Sequence, residues 1–259
     1  MKFEIGDSVT RKSYNNDIVF KIIAIDEEVY YLSGLNVRLC ADALEEDLIK
    51  CDDIEEEEER AFINRIKDIN NLERNDYFYL PGKILHIDGD KDYLKRCLQF
   101  YEDLNIWAIG VVEKEDNVAY RIRELLEEYN PSIVVITGHD AYYKKGNKDD
   151  ITSYKNSMNF VKAVKEARRY EKSHDKLIII AGACQSDYEE LIKAGANFAS
   201  SPKRINIHAL DPAIIASKMS LSSVTEDIDL KQMLEKTKYG KDGMGGVKTK
   251  GTMYTGYPR

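Results

Sequence analysis

A histidine and a cysteine, His139 and Cys184, each follow a short and almost wholly apolar segment of the chain, residues 133–136 and 177–181. A thiol needs a general base or a lowered pKa to attack a carbonyl at neutral pH, and a neighbouring histidine supplies either. If both segments are strands of one parallel sheet, their carboxyl ends meet at the same edge. The pattern therefore predicts nucleophilic catalysis with Cys184 as the nucleophile and His139 as its partner.

Small residues stand beside both of these side chains. Gly138 precedes the histidine and Gly182 lies two positions before the cysteine, so the backbone can turn sharply at each point. The turn after Cys184 leads into a predicted helix, whose N-terminus would favour a thiolate. We expect backbone N–H groups near Gly138 and Cys184 to stabilise the oxyanion of an acyl-transfer reaction.

The remaining cysteines and histidines fit this chemistry less well. They are Cys40, Cys51, Cys97, His86, His174 and His208. Only His208, which begins a helical region, is placed where it can reach the same edge of the sheet in a supporting role. The cysteines form no CxxC pair, which argues against a zinc site and against a disulfide framework. The proposed reaction needs no metal and no organic cofactor.

Three acids at the same edge allow a different class of protein. Asp88 ends a predicted strand, Asp90 and Asp140 follow predicted strands, and the three would suit a phospho-acceptor receiver domain that binds Mg²⁺. Such a signalling module needs a lysine after its fifth strand, and in this chain the first lysine after that strand is Lys203. The module would give no role to Cys184. A catalytically inactive binding module is the other alternative.

Apolar segments alternate with helical patterns from residue 83 onward, which predicts a parallel α/β sheet covered on both faces. The predicted strands span 83–88, 106–112, 133–136, 177–181 and 196–200, and the predicted helices span 92–104, 118–129, 152–170, 188–194 and 212–218.

The rest of the chain divides around this domain. Residues 1–52 contain short β-branched and aromatic runs separated by turn signals, which predicts a small SH3-like β-barrel. Residues 53–80 are expected to form an acidic helical linker, and residues 81–220 the α/β domain. Residues 221–259 are expected to form a C-terminal helix and a flexible, basic, glycine-rich tail.

Composition excludes several functions. The net charge of −8 gives no reason to expect a nucleic-acid partner. No segment is long and apolar enough for a membrane helix, and the N-terminus has no apolar signal segment. Four scattered cysteines suit a reducing compartment, so we expect a cytoplasmic protein.

The segments ending in His139 and Cys184 resemble the caspase-like cysteine proteases. Over the full chain, the sequence resembles the YabG family of sporulation-specific cysteine proteases. Five segments carry this resemblance: residues 5–11, 34–42, 86–90, 138–140 and 182–186. It implies a caspase-like domain in a mother-cell endopeptidase that acts on spore coat and cortex-associated proteins and cleaves after arginine.

The resemblance also implies site residues. Caspase-type sites usually have glycine after the histidine, whereas here Asp140 follows it, and its backbone N–H would be the second oxyanion donor. In caspase-like proteases the loop after the first strand contributes to the pocket for the residue before the cut. Asp88, Asp90 or both are therefore expected to bind the substrate arginine, with Asp140 as the competing acid and helix capping as the alternative role of Asp90. Self-cleavage is expected in residues 236–259.

Overall fold

The protein is described by a computed structural model that covers residues 3–51, 55–67, 77–143 and 146–257. It divides into two compact units, Met1–Ile66 and Lys67–Arg259. The predicted boundaries at residues 52, 80 and 220 stay predictions, and parts of the predicted linker lie outside the described residues.

The first unit is built on a five-stranded antiparallel sheet with the strand order β4-β3-β2-β1-β5. Its strands are β1 (Ser8–Arg11), β2 (Phe20–Asp26), β3 (Val29–Gly34), β4 (Cys40–Leu44) and β5 (Leu48–Lys50). Phe20 and Ile22 alternate with exposed residues, so one face of the sheet packs a core that also contains Phe3 and Tyr30. Helix α1 (Glu55–Lys67) follows the sheet.

The second unit contains a six-stranded sheet in the order β12-β11-β10-β9-β7-β8. Its strands are β7 (Ile84–Asp88), β8 (Ala108–Val112), β9 (Ile133–Thr137), β10 (Ile178–Ala181), β11 (Phe198–Ser200) and β12 (Met244–Gly246). Strands β7 to β11 are parallel, and β12 is antiparallel to β11. The strand order reverses between β7 and β9, and in open α/β sheets such a switch point opens a crevice at the carboxyl ends of the strands.

Helices cover both faces of this sheet, as its apolar strands predict. They are α2 (Lys91–Asp103), α3 (Val118–Tyr129), α4 (Ser157–Tyr170), α5 (Tyr188–Ala194) and α6 (Asp211–Ser220), followed by the short α7 (Leu230–Leu234) and α8 (Gly240–Gly243). Helices α3, α4 and α5 share one core with alternate residues of the strands, such as Ile136 and Ile179. Each fully buried isoleucine of this kind stabilises the fold by about 1.5–3 kcal/mol.

The C-terminal segment, predicted to form a helix and a flexible glycine-rich tail, contains several regular elements. Residues 240–246 form α8 and β12, and β13 (Tyr254–Gly256) pairs with β6 (Phe78–Leu80). Glycine serves here for close approach of the backbone, because a β-carbon on Gly246 would overlap the ring of Phe198. Among the described residues, none of the helices has the length and apolar character needed to cross a membrane.

Candidate active site

The predicted catalytic pair leaves the sheet from two neighbouring strands. Ile136 of β9 is paired in register with Ala181 of β10, and His139 and Cys184 each lie three residues beyond this pair. Parallel strands are about 4.8 Å apart. The loops that carry the two residues therefore leave the sheet at the same edge, next to the switch point between β7 and β9.

His139 is held from several directions. Its Nε2 atom lies 3.0 Å from Oδ2 of Asp90, and its ring is tilted against that of Tyr93 at 5.7 Å between centroids. Its backbone N–H donates to Oε1 of Glu115 at 2.8 Å, and its carbonyl accepts from Nδ2 of Asn156 at 2.8 Å. The side chain is 20% exposed, so the imidazole is fixed in orientation but still reaches solvent.

The two carboxylate oxygens of Asp90 have different partners. Its Oδ1 atom caps α2 by accepting from the backbone N–H groups of Asp92 and Tyr93, while Oδ2 contacts His139. Burial acts to raise the pKa of Asp90, but hydrogen bonds from His139 and from backbone N–H groups outweigh it and hold the pKa below its usual value. Asp90 is therefore a carboxylate near neutral pH.

Cys184 lies in the turn between β10 and α5 and is fully buried. Its sulfur accepts from the backbone N–H of Ile207 at 3.3 Å and lies 3.7 Å from the carbonyl oxygen of the same residue. The backbone N–H of Gln185 donates to the carbonyl of Ile205 at 3.0 Å. The segment Ser201–Ile207, called here the covering loop, thus lies over the thiol.

Arg204 fastens the covering loop to α5. Its guanidinium, with the side chain 10% exposed, is 3.2 Å from Oδ1 of Asp187 and also pairs with Glu189 and with the hydroxyl of Tyr154. Arg204 has a φ of 56°, a left-handed conformation that costs a non-glycine residue energy. The ion pairs with the start of α5 offset that cost.

Asp140 joins two loops at the edge of the sheet. It is buried, and its carboxylate accepts from the backbone N–H groups of Ala141 and Asn156 and from the hydroxyls of Ser157 and Ser186. Burial raises the pKa of Asp140, although these four hydrogen bonds act in the opposite direction. The carboxylate therefore connects the loop after β9 to α4 and to the loop that carries Cys184. The sequence alone assigned no role to either serine.

Glu115 is a residue that sequence reasoning missed. It follows β8, and its carboxylate lies against the backbone of both Gly89 and Gly138 while it accepts the N–H of His139. A β-carbon on Gly138 would stand 2.5 Å from Oε1 of Glu115. The two glycines thus make room for a carboxylate between the ends of β7 and β9. In the sequence, the only sign of this arrangement is a glycine directly after each of the two strands.

The other predicted residues have local partners. Asp88 is fully buried, its Oδ1 accepts the backbone N–H of Asp90, and its Oδ2 lies 3.7 Å from Nε2 of His86. His208 is buried at the start of α6, where its Nδ1 accepts from the backbone N–H of Leu210 at 3.1 Å. Across the described ranges, His, Cys, Asp and Glu side chains form no group of three or more that could hold a metal ion.

Known proteins resemble this chain along its whole length. The model of the family described as YabG peptidase U57 matches residues 4–258. The sporulation-specific protease YabG of Bacillus subtilis (strain 168) is 41% identical over an alignment of 287 residues, which covers 100% of this chain and 99% of that protein. Both similarities include the segments that carry His139 and Cys184.

Proposed function

Because the chain belongs to the YabG peptidase U57 family, we propose that it is a cysteine endopeptidase with a catalytic pair formed by Cys184 and His139. The family makes it a peptidase. The observation that supports the cysteine mechanism is that His139 and Cys184 each follow, by three residues, the register pair Ile136 and Ala181 of the neighbouring strands β9 and β10. The fixed imidazole of His139 adds to this support.

In the proposed reaction, the thiolate of Cys184 attacks the peptide carbonyl and forms a tetrahedral intermediate. His139 then donates a proton to the leaving amine, and an acyl-enzyme remains. A water molecule, deprotonated by His139, attacks the acyl carbon and releases the carboxylic acid and the thiol. The backbone N–H groups of Gly138, Asp140 and Cys184 would stabilise the oxyanion.

The covering loop has to move before this chemistry begins. A peptide carbonyl must come within about 3–3.5 Å of the sulfur to react, and the backbone of Ile207 occupies part of that space. We therefore propose that substrate binding displaces the loop Ser201–Ile207. The closed arrangement described above would be the resting state of the enzyme.

The finer functional assignments follow from the family resemblance. They are cleavage after arginine, spore coat and cortex-associated proteins as substrates, action in the cytoplasm of the mother cell, and the caspase-like and SH3-like identities of the two units. The sporulation role is supported by the name of the relative from B. subtilis. The arginine pocket is predicted to use Asp88, Asp90 or both; Asp88 is fully buried, and the contact of Asp90 with His139 offers a different role for Asp90.

The proposal is tested by replacing the pair. Cys184→Ala and His139→Ala should each abolish peptide cleavage, and the double variant should lose little more than either single variant, because the two groups act as a unit. Cys40→Ala, which removes an exposed cysteine of the first unit, is the matched control and should cleave normally. Circular dichroism checks that each variant is folded. Normal turnover by Cys184→Ala would end the proposal.

A further inference from the structure

We infer that Asp90 is a positioning residue that fixes the tautomer and orientation of His139, so that Nδ1 is the nitrogen that exchanges protons during catalysis. The inference rests on the proposed function and adds a third member to the Cys184–His139 pair. It starts from the 3.0 Å distance between Oδ2 of Asp90 and Nε2 of His139.

The charge of Asp90 decides which nitrogen carries the proton. A carboxylate only accepts hydrogen bonds, so the Nε2 atom that faces it must be protonated. In the neutral imidazole, Nδ1 is then the unprotonated nitrogen and is the one able to take a proton from a thiol or give one to a leaving amine. When His139 becomes cationic, the same carboxylate stabilises the charge at close range.

Asp90 is itself held rigidly, as an orienting group must be. Its Oδ1 atom caps α2, and its backbone N–H donates to Oδ1 of Asp88 at 2.9 Å. The ring of Tyr93, one turn into the same helix, packs against the imidazole. The start of α2 and the buried Asp88 therefore hold Asp90 in place, so that its contact with His139 differs from one between two mobile surface side chains.

Two other roles for Asp90 make different predictions. As a pure helix cap, it would be replaced without loss by any good capping residue, since Asn and Ser cap helices about as well as Asp. As the acid of the arginine pocket, it would matter only for substrates with arginine before the cut. As a positioning residue, it should affect turnover of every substrate alike.

The experiment compares Asp90→Asn and Asp90→Ser with the wild-type protein on paired peptides that have Arg or Gln before the cut. Both variants keep a cap for α2. In Asp90→Asn, the amide N–H₂ group faces Nε2 and favours the wrong tautomer. Asp229→Asn, the same change at the N-cap of α7, is the matched control. A second readout is the pH dependence of alkylation of Cys184.

The inference predicts that both Asp90 variants lower kcat by about 10²-fold on both peptides, with little change in KM and an unchanged preference for Arg. The pH midpoint for alkylation of Cys184 should rise, because an unsupported imidazolium stabilises the thiolate less. Wild-type kcat in both variants, or a loss confined to the Arg peptide, would overturn the inference. If Cys184→Ala still cleaves, the proposed function fails instead, whatever the Asp90 variants do.

Discussion

The backbone N–H of Ile207 donates a hydrogen bond to the sulfur of Cys184 at 3.3 Å, and no part of this cysteine is exposed. In this position the thiol is protected from solvent and from adventitious electrophiles. The same contact means that the rate of any reaction at the sulfur includes the free energy of moving the covering loop. Access to Cys184 is therefore a property that can be measured separately from catalysis.

Loosening the covering loop should expose the thiol. Arg204→Gln removes the ion pairs with Asp187 and Glu189, which as charge-assisted hydrogen bonds are worth about 1.5–3 kcal/mol. We expect alkylation of Cys184 by iodoacetamide to become roughly 10–100-fold faster. Mass spectrometry of the labelled peptide measures the rate. The control is Lys203→Gln, at the exposed neighbouring position, in which Cys184 should be alkylated at the wild-type rate. If Cys184 is alkylated no faster in Arg204→Gln than in this control, Arg204 does not hold the loop.

Gly138 and Glu115 lie so close together that we expect the effects of replacing them to depend on each other. A β-carbon on Gly138 would push the Glu115 carboxylate away from the N–H of His139, so Gly138→Ala should lower kcat/KM. In a Glu115→Ala background nothing remains to be displaced, and the further effect of Gly138→Ala should be smaller. A double-mutant cycle on kcat/KM measures this difference. Strictly additive losses would mean that the two residues act independently.

The carboxylate of Asp140 is expected to stabilise the fold rather than to bind substrate. Asp140→Asn leaves one oxygen to serve four donors, and each lost bond to a buried charged group costs about 1.5–3 kcal/mol. For a protein of this size, Tm should fall by about 2–4 °C per kcal/mol. The control is Asp150→Asn, an exposed acid that caps a short 3₁₀ turn. Equal Tm values for the two variants would rule out this role of Asp140.

Self-cleavage remains a prediction, but the fold changes where the cut is expected. Pairing of β12 with β11 and of β13 with β6 protects the backbone of residues 244–246 and 254–256. Any product of self-cleavage should therefore end outside these residues. Intact-mass measurements on wild-type protein and Cys184→Ala after long incubation provide the test, and wild-type-specific cuts within β12 would contradict it.

Much of the second unit could be predicted from the sequence because its signals are strong. Apolar strands such as β9 and β10 and amphipathic helices such as α3 have the periods that burial on a covered sheet requires. The positions of His139 and Cys184 after those strands follow from the same reasoning. The parallel register then supplies their common edge.

The parts that the sequence did not predict depend on contacts between distant segments. Strands β5 and β12 have only three residues each, and nothing local to them distinguishes a strand from a loop until a partner strand is present. The glycines around β12 were interpreted as a sign of flexibility. Their other role, which is close packing against Phe198, is visible only in the folded structure. The covering loop and the contacts of Glu115 were missed for the same reason.

The central claim, that Cys184 is the nucleophile and His139 its proton-transfer partner, is tested most directly by trapping the acyl-transfer step. A peptidyl acyloxymethyl ketone with arginine at the reacting position is incubated with the protein, and the modified residue is mapped by mass spectrometry. We predict one adduct, on Cys184, absent from Cys184→Ser and strongly slowed in His139→Ala. An adduct on Cys40, Cys51 or Cys97 that abolishes cleavage while Cys184 stays unmodified would contradict the account.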